Sequence, residues 1–364
     1  MTSSGLSSVV SLKGRRLVIL ADGQLDFHFG KTAIGILRYR NEDVVAVIDA
    51  SNTGRTAQQA LGLGGDVPIV ASMPEALRYQ PNALLIGLAT RGGYLPNPWR
   101  PILLEAIEHG LDIISGLHFF LSEDPELRAA AERAHVQLVD VRRPPDMLQV
   151  ASGEPHRATS TVVTTVGSDC AVGKMSVVFD LEQAALTRGV DAAVVATGQT
   201  GMLIAGSGVP LDRVIGDFMA GAVERLVLEG AARHDVVLVE GQGSLLHPAY
   251  SGVTLALLHG SQPDAMILVI MPTRHTIEDY PIAIPPLQEL IAMHEAAAGW
   301  VKPAPVIGIA VNGLGLSAEE AEREVRLAED ESGLPAADTF RQGAGRLLDA
   351  ILTFRNNQTL TQNL

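Results

Sequence analysis

A single cysteine, Cys170, among 364 residues leaves no partner for an internal disulfide, and a reducing cytoplasm is the expected setting. Aromatic residues make up only 4% of the chain, so the core must be aliphatic, as in parallel sheets built from Val, Ile, Leu and Ala. Positive charge is also scarce. Lys and Arg number 27 against 41 Asp and Glu, for a formal charge of −14. That balance argues against nucleic acid, which needs a basic stripe, and against an anionic membrane surface. No apolar run reaches the roughly 20 residues of a membrane span; the longest, such as Ala265–Met271, are strand-sized. The opening MTSSGLSSVVSLKGRR has no long apolar region before a cleavage site, so no signal peptide is read.

What is present fits a compact enzyme, with 47% hydrophobic and 19% charged residues. The length suits two domains. In the first half, short β-branched runs at Leu17–Leu20, Val44–Ile48, Ala83–Leu88, Asp112–Ser115 and Gln137–Val141 alternate with helical spacing, clearest over Pro101–His109 and Pro125–Ala134. Pro68–Pro74 reads as a turn. The turn-rich stretch Arg142–Ser160 reads as the connection. Strands then recur at Thr161–Val166, Ala192–Thr197, Val236–Glu240, Ala265–Met271 and Pro305–Val311, with helices at Lys174–Arg188, Asp217–Gly230 and Ser317–Glu331. The polar tail Asn356–Leu364 is expected to fray. The fold class is therefore α/β: a Rossmann-like parallel sheet over 1–145, a linker over 146–160, and a P-loop NTPase-like doubly wound sheet over 161–364.

The strongest motif follows the strand Thr161–Val166. It runs Gly167, Ser168, Asp169, Cys170, Ala171, Val172, Gly173, Lys174, Met175, Ser176 and leads into a helix. Small residues let backbone N–H groups face phosphate oxygens, the helix presents its positive end, and Lys174 adds a point charge. The usual loop has Ser or Thr directly after the Lys, where the hydroxyl ligates magnesium. Met175 stands there instead, so phosphates can be gripped without an ordinary Mg-nucleotide site, and no metal is expected. Cys170 lies near a helix N-terminus, where a thiolate is favoured, but no His is paired with it along the chain. It reads as a small loop residue rather than a nucleophile.

Other polar strand ends point to the same edge, since ligands of doubly wound sheets collect at the carboxyl ends of strands. Glu240 closes an apolar strand and precedes Gly241, Gln242 and Gly243, whose backbone amides are candidate oxyanion donors. Glu240, His247 and Asp217 are the candidate acid/base groups, Asp217 doubling as a helix cap. Gln199 and Thr200 follow another strand and suit substrate or phosphate. Arg274, His275 and Arg91 are candidates for holding acid groups, and Asn312 for reading an adenine edge. The first strand lacks GxGxxG, so a dinucleotide such as NAD loses its best support. Gly30-Lys31-Thr32 reads as a helix start.

The loop GSDCAVGKMS, with GQTGMLIAG, DFMAGAVE, VEGQGSLLHPAYSGVTLALLHG and MPTRHTIEDYP, resembles a bacterial family long labelled as of unknown function. The resemblance covers nearly the whole chain. It implies an N-terminal Rossmann-like domain and a C-terminal P-loop domain. Family members have been assigned as D-glutamate N-acetyltransferases that use acetyl-CoA. The C-terminal half is also similar in layout to dethiobiotin synthetase, an ATP-dependent ligase whose loop carries Thr after the Lys. The expected reaction is thus N-acetylation of an acidic amino acid, D-glutamate by resemblance, with acetyl-CoA as cofactor. The alternative is an ATP- and magnesium-dependent kinase or ligase. A small-molecule substrate and a homo-oligomer are the expected partners.

Overall fold

A computed structural model describes residues 12–27, 29–88 and 91–362, with the side chains of Arg91 and of residues 359–362 left out. The chain divides into two compact units. One comprises residues 12–144 together with Gly198–Arg213; the other comprises Pro145–Thr197 and residues 214–362.

In the first unit β1 (Leu17–Leu20), α1 (Lys31–Tyr39), β2 (Val44–Ile48), α2 (Ala57–Leu61), β3 (Ile69–Val70), α3 (Met73–Ala76), β4 (Ala83–Ile86), α4 (Arg100–Glu108), β5 (Asp112–Ser115), α5 (Pro125–Ala134) and β6 (Leu138–Asp140) follow in chain order. The strands pair in parallel in the order β3-β2-β1-β4-β5-β6, the Rossmann arrangement. β1 and β4 are wholly buried, as the uninterrupted apolar runs require of a sheet covered on both faces. The turn expected at Pro68–Pro74 is instead a short strand and a helix. Pro68 lacks an N–H, but its carbonyl still accepts from Val47, and Val70 accepts from Asp49. Gly30 stands at the N-cap of α1, so Lys31 does open a helix.

In the second unit β7 (Thr161–Gly167), α6 (Lys174–Thr187) and β8 (Ala192–Val195) come first. α7 (Gln199–Ala205) follows, on the segment that packs with the first unit. Then come α8 (Gly216–Ala231), β9 (Val236–Val239), α9 (Ser251–Ser261), β10 (Ala265–Ile270), α10 (Leu287–Gly299), β11 (Val306–Val311), α11 (Ala318–Ser332), β12 (Ala336–Ala337), α12 (Thr339–Gln342) and α13 (Gly345–Gln362). The sheet order is β12-β11-β10-β7-β9-β8, all parallel. Inward residues such as Val163, Leu238 and Ile267 pack on α6 and α13 through Leu181 and Leu347. Val166, Leu268 and Ile309 face Leu258, Leu290 and Val325 on the other side. Of the polar tail, Asn356–Gln362 continue α13, and residues 363–364 lie outside the described residues.

The segment after Pro145 is pinned to α8. Glu224, buried in that helix, accepts from the backbone of Ser152, Gly153 and Glu154. Gly221 is required one turn away, since a Cβ there would overlap the Gln149 carbonyl oxygen.

Candidate functional site

Because β7 lies between β9 and β10, the carboxyl ends of β7, β9, β10 and β11 deliver Gly167–Ser176, Glu240–Gly243, Arg274 and Asn312 to one edge of the second sheet. The loop after β7 turns through two left-handed residues, Ala171 (φ 55°) and Gly173 (φ 108°), the latter at the N-cap of α6. Its Ala171 and Gly173 amides donate to none of the described residues, as a phosphate cradle at a helix start requires.

Lys174 opens α6 and is almost wholly buried. Its Nζ donates to the Asp169 carbonyl oxygen at 2.8 Å. Burial pulls its ammonium down to about 8 from an ordinary 10.5, and the neighbouring Cys170, Asp169 and Glu240 offset that only in part. The cation is thus held out of water with no carboxylate within ion-pair distance among the described residues. A group so placed gains most from an incoming phosphate.

Three side chains hold the loop in shape. Asp169 is completely buried; its Oδ1 accepts from the Cys170 amide at 2.7 Å, and its Oδ2 from Arg274 Nη1 at 3.0 Å and the Glu278 amide at 2.8 Å. Arg274 also donates to the Cys170 carbonyl at 2.7 Å, so its charge is committed to the loop. Asn312 donates from Nδ2 to the Val172 carbonyl at 2.8 Å and accepts at Oδ1 from the Leu314 amide. Both ends of that amide are therefore spent on clamping the loop and its own turn. Ser168 is buried with its Oγ unpartnered.

Glu240 is buried at the end of β9. Its Oε2 accepts from the Thr197 amide at 2.8 Å, and its carbonyl from the Thr197 hydroxyl at 2.7 Å, tying the end of β8 to β9. Gly241 must be glycine, because a Cβ would overlap the Thr165 carbonyl oxygen and come within 2.8 Å of Lys174 Cδ. The Gly241 amide donates to Thr165 Oγ1 at 2.9 Å, which removes it from the set of free oxyanion donors. Gln242 gives its carbonyl to Thr254, and Gly243 turns at φ 66°.

His247 is brought to the P-loop by the turn after Gly243. It is buried, with the Tyr250 ring tilted against it at 4.6 Å and the Tyr280 ring edge-on at 5.1 Å, and its Nδ1 accepts from the Ala249 amide at 3.2 Å. One donor atom each from Asp169, Cys170 and His247 lies within 4.8 Å of the other two. The fold therefore brings a His near Cys170, without a hydrogen bond between them, which the spacing concealed. The expected thiolate is absent, however: burial pushes the Cys170 thiol up to about 11, outweighing Lys174.

Neither Asp217 nor His275 makes a hydrogen bond to the loop among the described residues. Asp217 is exposed in the first turn of α8, whose N-cap is Ile215. His275 is exposed. Gln199, Thr200 and Arg91 belong to the first unit. Thr200 Oγ1 is 2.9 Å from Thr32 Oγ1, and Gln199 packs against Gly116.

Fold and loop together define a P-loop α/β protein joined to a Rossmann-like unit. The comparisons agree. Residues 149–348 match the P-loop domain of a family described as a domain of unknown function, DUF1611, and residues 50–144 match its Rossmann-like N-terminal domain. The chain belongs to the DUF1611 family. A protein of Tritonibacter scottomollicae named D-glutamate N-acetyltransferase is 41% identical over 92% of this chain and 97% of its own length. One of the same name from a Pseudoalteromonas species is 38% identical over 76% of this chain and 83% of its own. The crystal structure of a DUF1611 family protein from Anabaena variabilis superposes with a TM-score of 0.88 at 39% identity, covering 93% of this chain and all of that one. No described helix is long and apolar enough to cross a membrane.

Proposed function

We propose that the protein transfers the acetyl group of acetyl-CoA to the amine of an acidic amino acid, D-glutamate by kinship. Support for the reaction comes from two relatives of that name that align along most of their length. The observation that carries the donor is the loop itself: a buried Lys174 with no carboxylate within ion-pair distance among the described residues, two amides that donate to none of those residues, and no hydroxyl at position 175. CoA presents phosphates that need gripping but no hydrolysis, so a missing magnesium ligand is no handicap.

In the reaction the amine nitrogen attacks the thioester carbonyl carbon. The C–N bond forms and the C–S bond breaks; of the two protons the ammonium nitrogen loses, one leaves on CoA as its thiol and the other passes by way of a base to water. The chain must grip the donor, hold the acceptor's carboxylates and accept that proton. The pantetheine arm, comparable to about four extended residues, can carry the thioester up to roughly 14 Å from the phosphates. Glu240 and His247 border the loop, at the phosphate end. In this reading they serve the grip on the donor: Glu240 supports the charged form of Lys174 and fixes the turn around it. That displaces the expectation that Glu240 is the amine's base.

The test is acetyl-CoA turnover with D-glutamate in the presence of EDTA. Release of CoA thiol that depends on D-glutamate supports the proposal. ADP production from ATP that requires magnesium, with acetyl-CoA inert, would replace it with the ligase reading.

A further inference from the structure

The first unit carries a polar cluster that the phosphate site does not use. It lies at the carboxyl edge of that unit's sheet, where ligands of such sheets bind. The turns after β4, β5 and β6 meet there with the inserted segment: the Phe119 amide donates to the Gly93 carbonyl at 3.0 Å, and Gln199 lies against Gly116.

Arg142, two residues past β6, is only 8% exposed. Its Nε donates to the Gly116 carbonyl at 2.6 Å, and its Nη1 to His118 Nε2 at 2.7 Å and to Asp212. Its Nη2 has no partner among the described residues. The guanidinium groups of Arg143 and Arg213 both lie over the Phe120 ring, at 4.5 and 4.6 Å. The nearby acids are already committed. Glu123 answers Arg143 at 3.1 Å. Asp140 accepts from the Leu121 and Ser122 amides at 2.8 and 3.1 Å. Asp212, itself half exposed, answers Arg142. Arg213 meets no carboxylate among the described residues.

This crowding is expensive. Burial, with repulsion from Arg213, lowers Arg142 to about 10. Burial, with repulsion from Arg142 and Arg213, holds His118 at about 4, so the imidazole is neutral at pH 7. Guanidinium groups gathered against their mutual repulsion, in a chain of net charge −14, mark a place prepared for an anion. One cation lacks a counter-charge and the imidazole is neutral, which matches a monoanion better than a phosphate dianion. The guanidinium fork matches a carboxylate.

We propose that Arg142 and Arg213 form the carboxylate-binding site for the acidic acceptor, with Asp212 holding Arg142 until that carboxylate arrives. The assignment of the ligand to the acceptor rests on the acetyltransferase reading. The site itself is tested without turnover.

The full chain is titrated calorimetrically with glutarate, D-glutamate, inorganic phosphate and acetyl-CoA, as wild type, Arg213→Gln and Arg213→Lys. Arg213 is the position to change because it is exposed, whereas Arg142 supports the turn after β5. The expected result is tenfold or greater loss of glutarate and D-glutamate affinity in Arg213→Gln, partial recovery in Arg213→Lys, and unchanged acetyl-CoA affinity. Absence of glutarate binding in the wild type, or equal affinity in Arg213→Gln, would overturn the proposal. So would a loss confined to phosphate or acetyl-CoA, which would give the cluster to the donor. Arg213-dependent glutarate binding in a protein that transfers no acetyl group would support the site while removing the acetyltransferase reading.

Discussion

Replacing Lys174 with Met should strengthen the empty protein and weaken its hold on the donor. The drop of the Lys174 pKa from 10.5 to about 8 corresponds to about 3 kcal/mol of strain on the charged form. Met keeps all but the last atom of the side chain's length and removes the charge. The lost hydrogen bond to the Asp169 carbonyl returns about 1 kcal/mol to the other side. The net gain, about 2 kcal/mol, should raise the melting temperature of the P-loop unit by roughly 4–8 °C. The wild type should gain a comparable amount only when acetyl-CoA is present, about 2.7 kcal/mol at a hundredfold excess over Kd. Calorimetric melting of wild type and Lys174→Met, each with and without acetyl-CoA, reads both effects. A variant that melts lower than wild type, yet is still stabilised by acetyl-CoA to the same degree, would refute both the buried charge and its role in the grip.

Four further outcomes follow from the same site. Donor affinity should fall as pH rises through about 8, because the protonated Lys174 is the form that binds phosphate; titration at pH 7 and 9 checks it. Over the window from about 8 to 10.5 the unfolded chain holds a proton that the empty fold does not, so its stability should rise with pH there. Cys170→Ala should keep most of its turnover, since a thiol held near 11 is a poor nucleophile; mass spectrometry that traps an acetyl group on Cys170 would contradict this. Glu240→Gln should raise the KM for acetyl-CoA while kcat stays within a few-fold. A fall in kcat of a hundredfold, with donor affinity unchanged, would restore Glu240 as the amine's base.

The sequence made the two sheets legible because their strands are short, aliphatic and separated by helices with clear starts. Thr161–Gly167 into Lys174 was readable for the same reason: strand, glycines and helix are all local signals. What was not legible depends on contacts between distant residues. Nothing in the spacing shows that the turn after Gly243 carries His247 to Cys170, or that Gly198–Arg213 packs with the Rossmann-like unit. Arg274 and Asn312 looked like ligand-binding groups because they end strands at the right edge. Both are instead spent on shaping the loop that sits between them. Arg142 was read as part of a turn-rich connection, yet its place just past β6 was a signal, since strand ends at that edge are where ligands gather. Its partners, His118 and Arg213, come from two other parts of the chain and meet only in the fold.

The most direct test of the account is a thiol-release assay with purified protein, acetyl-CoA and D-glutamate in EDTA, followed by identification of the product. The account predicts one equivalent of CoA thiol for each N-acetylated D-glutamate, at a rate that added magnesium leaves unchanged. No thiol release under these conditions, with activity appearing only on addition of magnesium and ATP, would contradict it.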